Sequence, residues 1–108
     1  MFKITSGKGF HVTFANGWTV SVQFGHGNYC DHHMARFEED YAARDRRCGE
    51  QGSLTAEVAC WPRSGDLADL GSDTVRGWQD PEQVLALMIE VAGLPGDATT
   101  LPSVTGGV

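Results

Sequence analysis

The 108-residue chain is predicted to be one α+β domain: an antiparallel β-meander of about five strands, with an amphipathic helix near the C-terminus packed on one face. Three observations predict it. Apolar and polar residues alternate with period two through residues 1–24 and again through 54–61, as in half-buried strands. Glycine is frequent, at 14 residues, which suits many tight turns. Residues 80–93 carry a full set of helix start and stop signals. The length suits one domain, placed at residues 1–95, followed by a Gly/Thr/Pro-rich stretch, 96–108, expected to be a flexible tail.

Phe2 and Ile4 alternate with Lys3 and Thr5, and a turn at 6–9 follows. Phe10, Val12 and Phe14 mark a second strand; Trp18, Val20, Val22 and Phe24 mark a third. Their register can be argued. A two-residue Asn16-Gly17 loop sets Phe14 opposite Thr19 and mixes apolar with polar on each face. A three-residue loop, Ala15-Asn16-Gly17, sets Phe14 opposite Trp18, Val12 opposite Val20 and Phe10 opposite Val22. All six then share a face, and Gly17 takes the left-handed position that such a loop requires.

Residues 25–53 are the least regular. Met34, Phe37, Tyr41 and Cys48 recur at helical spacing, which predicts an inserted helix near 32–47, capped by Asp31 and ended by Gly49. Asp40 and Arg44 stand in the favourable order for an i, i+4 pair. Leu54 to Cys60 reads as a fourth strand stopped by Pro62, and Asp73 to Trp78 as a short fifth. In the last helix Asp80 is the N-cap, Pro81 the first helical residue and Gln83 the partner in a capping box. Val84, Leu85, Leu87, Met88 and Val91 form its apolar stripe, and Gly93 ends it.

Formal net charge is −6. Residues 1–25 hold Lys3 and Lys8 with no acid; six arginines against fourteen acids leave −8 for the rest. Direct binding of nucleic acid is disfavoured, because its affinity comes mainly from cationic contacts to phosphate. An acidic surface suits a basic protein partner, and also serves solubility alone. No apolar run reaches the ~20 residues of a membrane span. The chain has no secretory leader pattern, and Cys30, Cys48 and Cys60 make an odd count, so a cytoplasmic protein is expected.

One dense cluster, His26 to His33, could carry chemistry. Cys30 with His32 or His33, joined by Cys48 or Cys60, could supply tetrahedral zinc ligands, but the spacing fits no established pattern. Surface histidines and a buried thiol account for the same residues. Cys30, near three histidines, is the candidate if any cysteine is a nucleophile; Cys60, on the core side of its strand, reads as inert. Glu38, Glu39 and Asp40 point in different directions on a helix and do not converge as an acid–base pair. Trp61 falls on the polar side of its strand and is the tryptophan most expected to be exposed, with cover by the 32–47 segment an equal alternative. No catalytic motif is present, so a non-enzymatic role is expected. Candidate binding residues are His26, Tyr29, Asp31, Glu38, Glu39, Asp40, Arg44 and Trp61.

The stretch Asn16-Gly-Trp-Thr-Val-Ser-Val-Gln-Phe-Gly25 with Asn28-Tyr-Cys30, together with Ala56 to Ala59 and the Gly77-Trp78, Pro81-Glu82 and Val84 run, resembles small phage and prophage proteins. The resemblance covers about two-thirds of the chain. It supplies no catalytic residues and implies a context. Such proteins are often accessory factors that bind a host protein, including inhibitors of bacterial immunity of the anti-CRISPR kind. A host protein is therefore the expected partner and the bacterial cytoplasm the expected location. Two alternatives stand beside it. One is a nucleotide or small-molecule sponge with a pocket between the sheet and residues 25–53, using His26, Tyr29, Arg44 and Trp61. The other is a virion assembly part.

Overall fold

The computed structural model describes residues 1–5, 8–31, 40–71 and 73–96. Five strands form one antiparallel sheet in chain order: β1 (Phe2–Ile4), β2 (Gly9–Thr13), β3 (Thr19–Gln23), β4 (Ala56–Trp61) and β5 (Arg76–Gln79). Helix α1 (Tyr41–Gln51) lies between β3 and β4 in sequence, and α2 (Pro81–Ala92) follows β5. The α+β meander expected from the residue pattern is the fold observed.

The β2–β3 register is the three-residue form. Phe10 faces Val22 and Val12 faces Val20. The hairpin closes with the Phe14 amide donating to the Trp18 carbonyl at 2.9 Å, and Gly17 sits at φ 87°. A side chain at Gly17 would be strained there and would also meet the Arg63 guanidinium at 2.8 Å. On β4, Val58 faces Val22 and Cys60 faces Val20. Phe2 and Ile4 of β1 face Val12 and Phe10. One face of the sheet is therefore apolar across β1 to β4.

Helix α2 packs on that face, against β3, β4 and β5. The core is Trp18, Val20, Val22, Val58, Cys60, Leu87 and Val91 with Ala68 and Leu70 from the loop before β5. Burying each valine or leucine side chain of this set stabilises by about 1.5–3 kcal/mol relative to exposure. The capping box is present in full: the Asp80 side chain accepts from the Gln83 amide and the Gln83 side chain from the Asp80 amide. The expected stripe needs one correction. Leu85 is 57% exposed, while Val84, Leu87, Met88 and Val91 face the sheet. It sits one residue beyond Val84, about 100° round the helix, and so falls on its flank.

The inserted helix also departs from expectation. It starts at Tyr41, not near residue 32, and ends at Gln51 rather than at Gly49. The Asp40 side chain is the cap, accepting from the Ala43 amide at 2.7 Å. Asp31 is committed elsewhere: its carboxylate accepts from the Leu54 amide at 3.0 Å and from the Thr55 hydroxyl at 2.7 Å. Gly52, at φ 76°, donates to the Cys48 carbonyl and supplies the C-terminal stop. The rest of the expected span, 32–39, lies outside the described residues, as do 97–108 of the expected tail. β5 starts at Arg76 instead of Asp73, and β4 at Ala56, which leaves Leu54 outside the sheet and 79% exposed.

Candidate functional site

Two surfaces flank the covered core. The first lies beside α2. Among the described residues, α2 lies over β3 to β5 and no helix contacts β1. Phe2 is 73% and Ile4 71% exposed. Phe2 meets Phe10 edge-on, with ring centroids 6.1 Å apart. Leu85 and Ile89 form the exposed flank of α2. Between sheet and helix opens an apolar pocket of about 290 Å³, lined by Phe10, Val22, Phe24, Val84, Leu85 and Met88 among others, with Leu54 at its edge and no charged lining residue. Acids stand around the end near the α2 N-terminus: Asp31, Asp80 and Glu82 are all exposed.

The second surface is the seam between α1 and the turn that follows β3. Helix α1 does not pack on a strand. Asp45 holds it: one carboxylate oxygen accepts from the His26 amide at 2.9 Å, the other from His26 Nδ1 at 2.7 Å. Lys8 Nζ is 3.0 Å from His26 Nε2 and 3.8 Å from Asp45. Nδ1–H donates to Asp45, and Nε2 faces the Lys8 ammonium. The Tyr41 ring stacks on His26 at 4.7 Å, and the Arg44 guanidinium lies 4.9 Å from the Tyr41 ring centroid. A carboxylate–imidazole pair can serve as a general base. Here the second ring nitrogen already holds a proton donor, so the arrangement works as a latch.

Burial alone would raise the Asp45 carboxyl, but the His26 hydrogen bonds and the His26 and Lys8 charges outweigh it and bring it below the usual range. The sign follows. A carboxylate lowered in the folded state adds stability above its unfolded pKa and loses it as pH falls through the folded value. Asp45→Asn should therefore be less stable than wild type at pH 7. The gap should close as pH drops below about 4, where the free carboxyl protonates. Urea denaturation of both proteins between pH 7 and 3 checks it; a gap independent of pH would contradict the latch.

The other expected site residues are dispersed. Arg44 is buried, at 3% exposure. Trp61 is half-buried, edge-to-face with His11 at 5.0 Å. Burial, then the Lys3 charge, lowers the His11 pKa. The exposed tryptophan is Trp78 instead, at 55%, with φ 49°. Its amide donates to the Tyr29 carbonyl at 2.8 Å, and the two rings lie 5.5 Å apart. Gly77 permits this approach, since a Cβ there would come within 2.5 Å of the Tyr29 Cβ. Glu38, Glu39, His32 and His33 lie outside the described residues. Among the described residues no three His, Cys, Asp or Glu side chains stand together as a metal site.

Cys30 is fully buried and its thiol donates to the Gly25 carbonyl at 3.7 Å. Burial pushes the Cys48 thiol up, and burial takes Cys60 to about 11. Neither has the lowered pKa of an activated nucleophile. Phe2, Ile4, Leu54, Leu85, Ile89 and the Lys8–Asp45 pair are not among the site residues expected from the residue pattern. No helix among the described residues is long and apolar enough to cross a membrane. No family model matches the chain, and comparisons with curated proteins and with solved structures found no match.

Proposed function

We propose that the protein is a non-enzymatic binding protein that grips a partner protein in the groove between α2 and the β1–β2 edge. The observation that carries this reading is the apolar face that the described residues leave open there, with Phe2, Ile4, Leu54, Leu85 and Ile89 each more than half exposed beside an uncharged pocket. Contiguous exposed apolar surface with a polar rim is typical of protein interaction sites. The acids at the rim favour a basic amphipathic segment, which would place an apolar side chain in the pocket and its cations against Asp31, Asp80 and Glu82. That the partner belongs to a bacterial host, and to its defences, rests on the resemblance of residues 16–25, 28–30, 56–59 and 77–84 to phage proteins.

The sponge reading draws less support. The cavity between the sheet and the 25–53 excursion, about 330 Å³, is lined by Lys8, Phe24, Asp45, Cys48 and neighbours. None of His26, Tyr29, Arg44 and Trp61 is among its lining residues.

The test is quantitative co-purification from bacterial host lysate with wild type, Leu85→Asp and Ile4→Asp. Both substituted residues are exposed, so melting temperatures should stay close to wild type. Removing an interface anchor typically costs at least ~2 kcal/mol, roughly thirtyfold in affinity. A specific protein recovered by wild type should be lost from both variants. Equal recovery by all three would reject the groove.

A further inference from the structure

The apolar pocket of the groove holds one atom at odds with its surroundings. Gln79 is 7% exposed, and no donor among the described residues reaches its side-chain Oε1. Gln79 stands opposite Ala56 of β4, and opposite residues share a face. Its side chain therefore lies with Ala56 and Val58 on the face turned to α2, and both Gln79 and Ala56 line the pocket. The side-chain nitrogen of Gln79 is already used, donating to the Gly77 carbonyl at 3.1 Å, which leaves the oxygen as the open end of the amide. Buried polar atoms in folded proteins nearly always have a partner. One without it, on a side chain in the wall of a pocket, points to a donor on a ligand.

The rest of the wall narrows what carries that donor. Its two hydroxyls are committed: Ser53 donates to the Thr55 carbonyl at 2.6 Å, and Thr55 to the Asp31 carboxylate at 2.7 Å. The wall thus presents one open acceptor and no free hydroxyl donor. Phe10, Phe24 and Met88 supply rings and a thioether sulfur, which favour an aromatic guest over an aliphatic one. The volume, about 290 Å³, falls just under the ~300–1,000 Å³ of pockets for drug-sized ligands and suits one side chain.

We infer that the pocket seats a tryptophan side chain of the partner, whose indole N–H donates to Gln79 Oε1. The inference rests on the groove reading for the partner and names the anchor that the groove takes. An indole nitrogen is a donor only, so it satisfies the acceptor and brings no second polar requirement. A tyrosine hydroxyl also donates, but its oxygen would enter a wall with no hydroxyl left to offer it. Phenylalanine or leucine would bury apolar surface and leave Gln79 unpaired. Tryptophan is also among the residues that carry most of the binding energy at protein interfaces.

The experiment titrates isotopically labelled full-length protein with N-acetyl-tryptophanamide and with its N-methylindole analogue, followed by NMR. Saturable shifts of the Met88 methyl and of the Gln79 side-chain amide are expected with the first compound. The analogue keeps the ring and loses the N–H, and should bind on the order of tenfold more weakly, the penalty of an acceptor left unpaired. N-acetyl-tyrosinamide should also bind more weakly than the tryptophan compound. In Gln79→Leu, which replaces the amide by an apolar group of similar size, the two indoles should bind alike. No saturable shift at Met88 and Gln79, equal affinity of wild type for the two indoles, or a preference that survives in Gln79→Leu would each overturn the assignment. The two wild-type titrations decide the matter even if Gln79→Leu fails to fold. Partner capture by Leu85→Asp and Ile4→Asp is read separately, so a groove that grips its partner without tryptophan gives a different result from a groove that grips nothing.

Discussion

Replacing Trp18 by alanine is expected to destabilise the domain by about 3–5 kcal/mol, the largest loss of any single truncation in the sheet. Trp18 is the largest of the fully buried side chains, at 0% exposure, in the core with Val20, Leu87 and Val91. Its indole N–H donates to the Pro95 carbonyl at 3.2 Å, so truncation removes both apolar contact and a bond to the chain beyond α2. The cavity left would be lined by a strand and a helix that cannot both relax into it. Domains of this size commonly have only 5–15 kcal/mol in total, so most of the margin would be gone. Urea denaturation at pH 7 reads the change. Trp78 is the internal comparison. It is 55% exposed and holds a left-handed φ of 49°, so Trp78→Gly removes strain and little packing. A loss at Trp78 equal to that at Trp18 would mean that the core assignment is wrong.

The meander was legible because every apolar residue from Phe10 to Phe24 has the parity of its neighbours across the turn, and only one loop length keeps them on one face. The capped start of α2 was legible because Asp80, Pro81 and Gln83 each satisfy a distinct backbone requirement at the helix N-terminus. Helix α1 was misplaced because three apolar spacings counted for more than the cap. Asp31 and Asp40 are equally good caps by residue type. Asp40 caps the helix, while Asp31 binds Leu54 and Thr55, which are more than twenty residues away in sequence. That choice is tertiary and leaves no local trace.

The groove was within reach of simple dimensions. A helix with its side chains is about 10–12 Å across and strands repeat every ~4.8 Å, so one helix covers two or three strands of five. The C-terminal helix alone therefore cannot cover the apolar face of a five-stranded meander. What could not be read is which edge, since that depends on the path from β5 into α2. The His26–Asp45–Lys8 latch was less legible. Its members are separated by 18 and 19 positions and lie on two turns and a helix, with no spacing rule to join them.

Asn16→Ala is expected to cost about 2–3 kcal/mol, although Asn16 sits at a hairpin tip where a surface polar residue would ordinarily be tolerated. Its amide nitrogen donates to the carbonyls of Val91 and Leu94, each at 2.9 Å, and lies 3.3 Å from that of Ala92. Its oxygen accepts from the Trp18 amide at 3.0 Å. One side chain thus shapes the β2–β3 turn and satisfies carbonyls at the end of α2 that the helix itself cannot. Alanine would leave both tasks undone. Asn16→Asp separates them, because it keeps the acceptor for Trp18 but sets a negative charge against the carbonyl end of the helix. That carboxyl would be raised in the folded state, so Asn16→Asp should be least stable at neutral pH and recover stability as pH falls through the raised value. Asn16→Ala should show no such recovery. Denaturation of both variants across pH 7 to 3 distinguishes a clamp on α2 from a local turn effect. If both respond alike, Asn16 acts on the hairpin only. The distinction reaches the groove as well, because α2 carries Leu85 and Ile89 as one of its walls, and the helix can present them in register with Phe10 only while its far end is held.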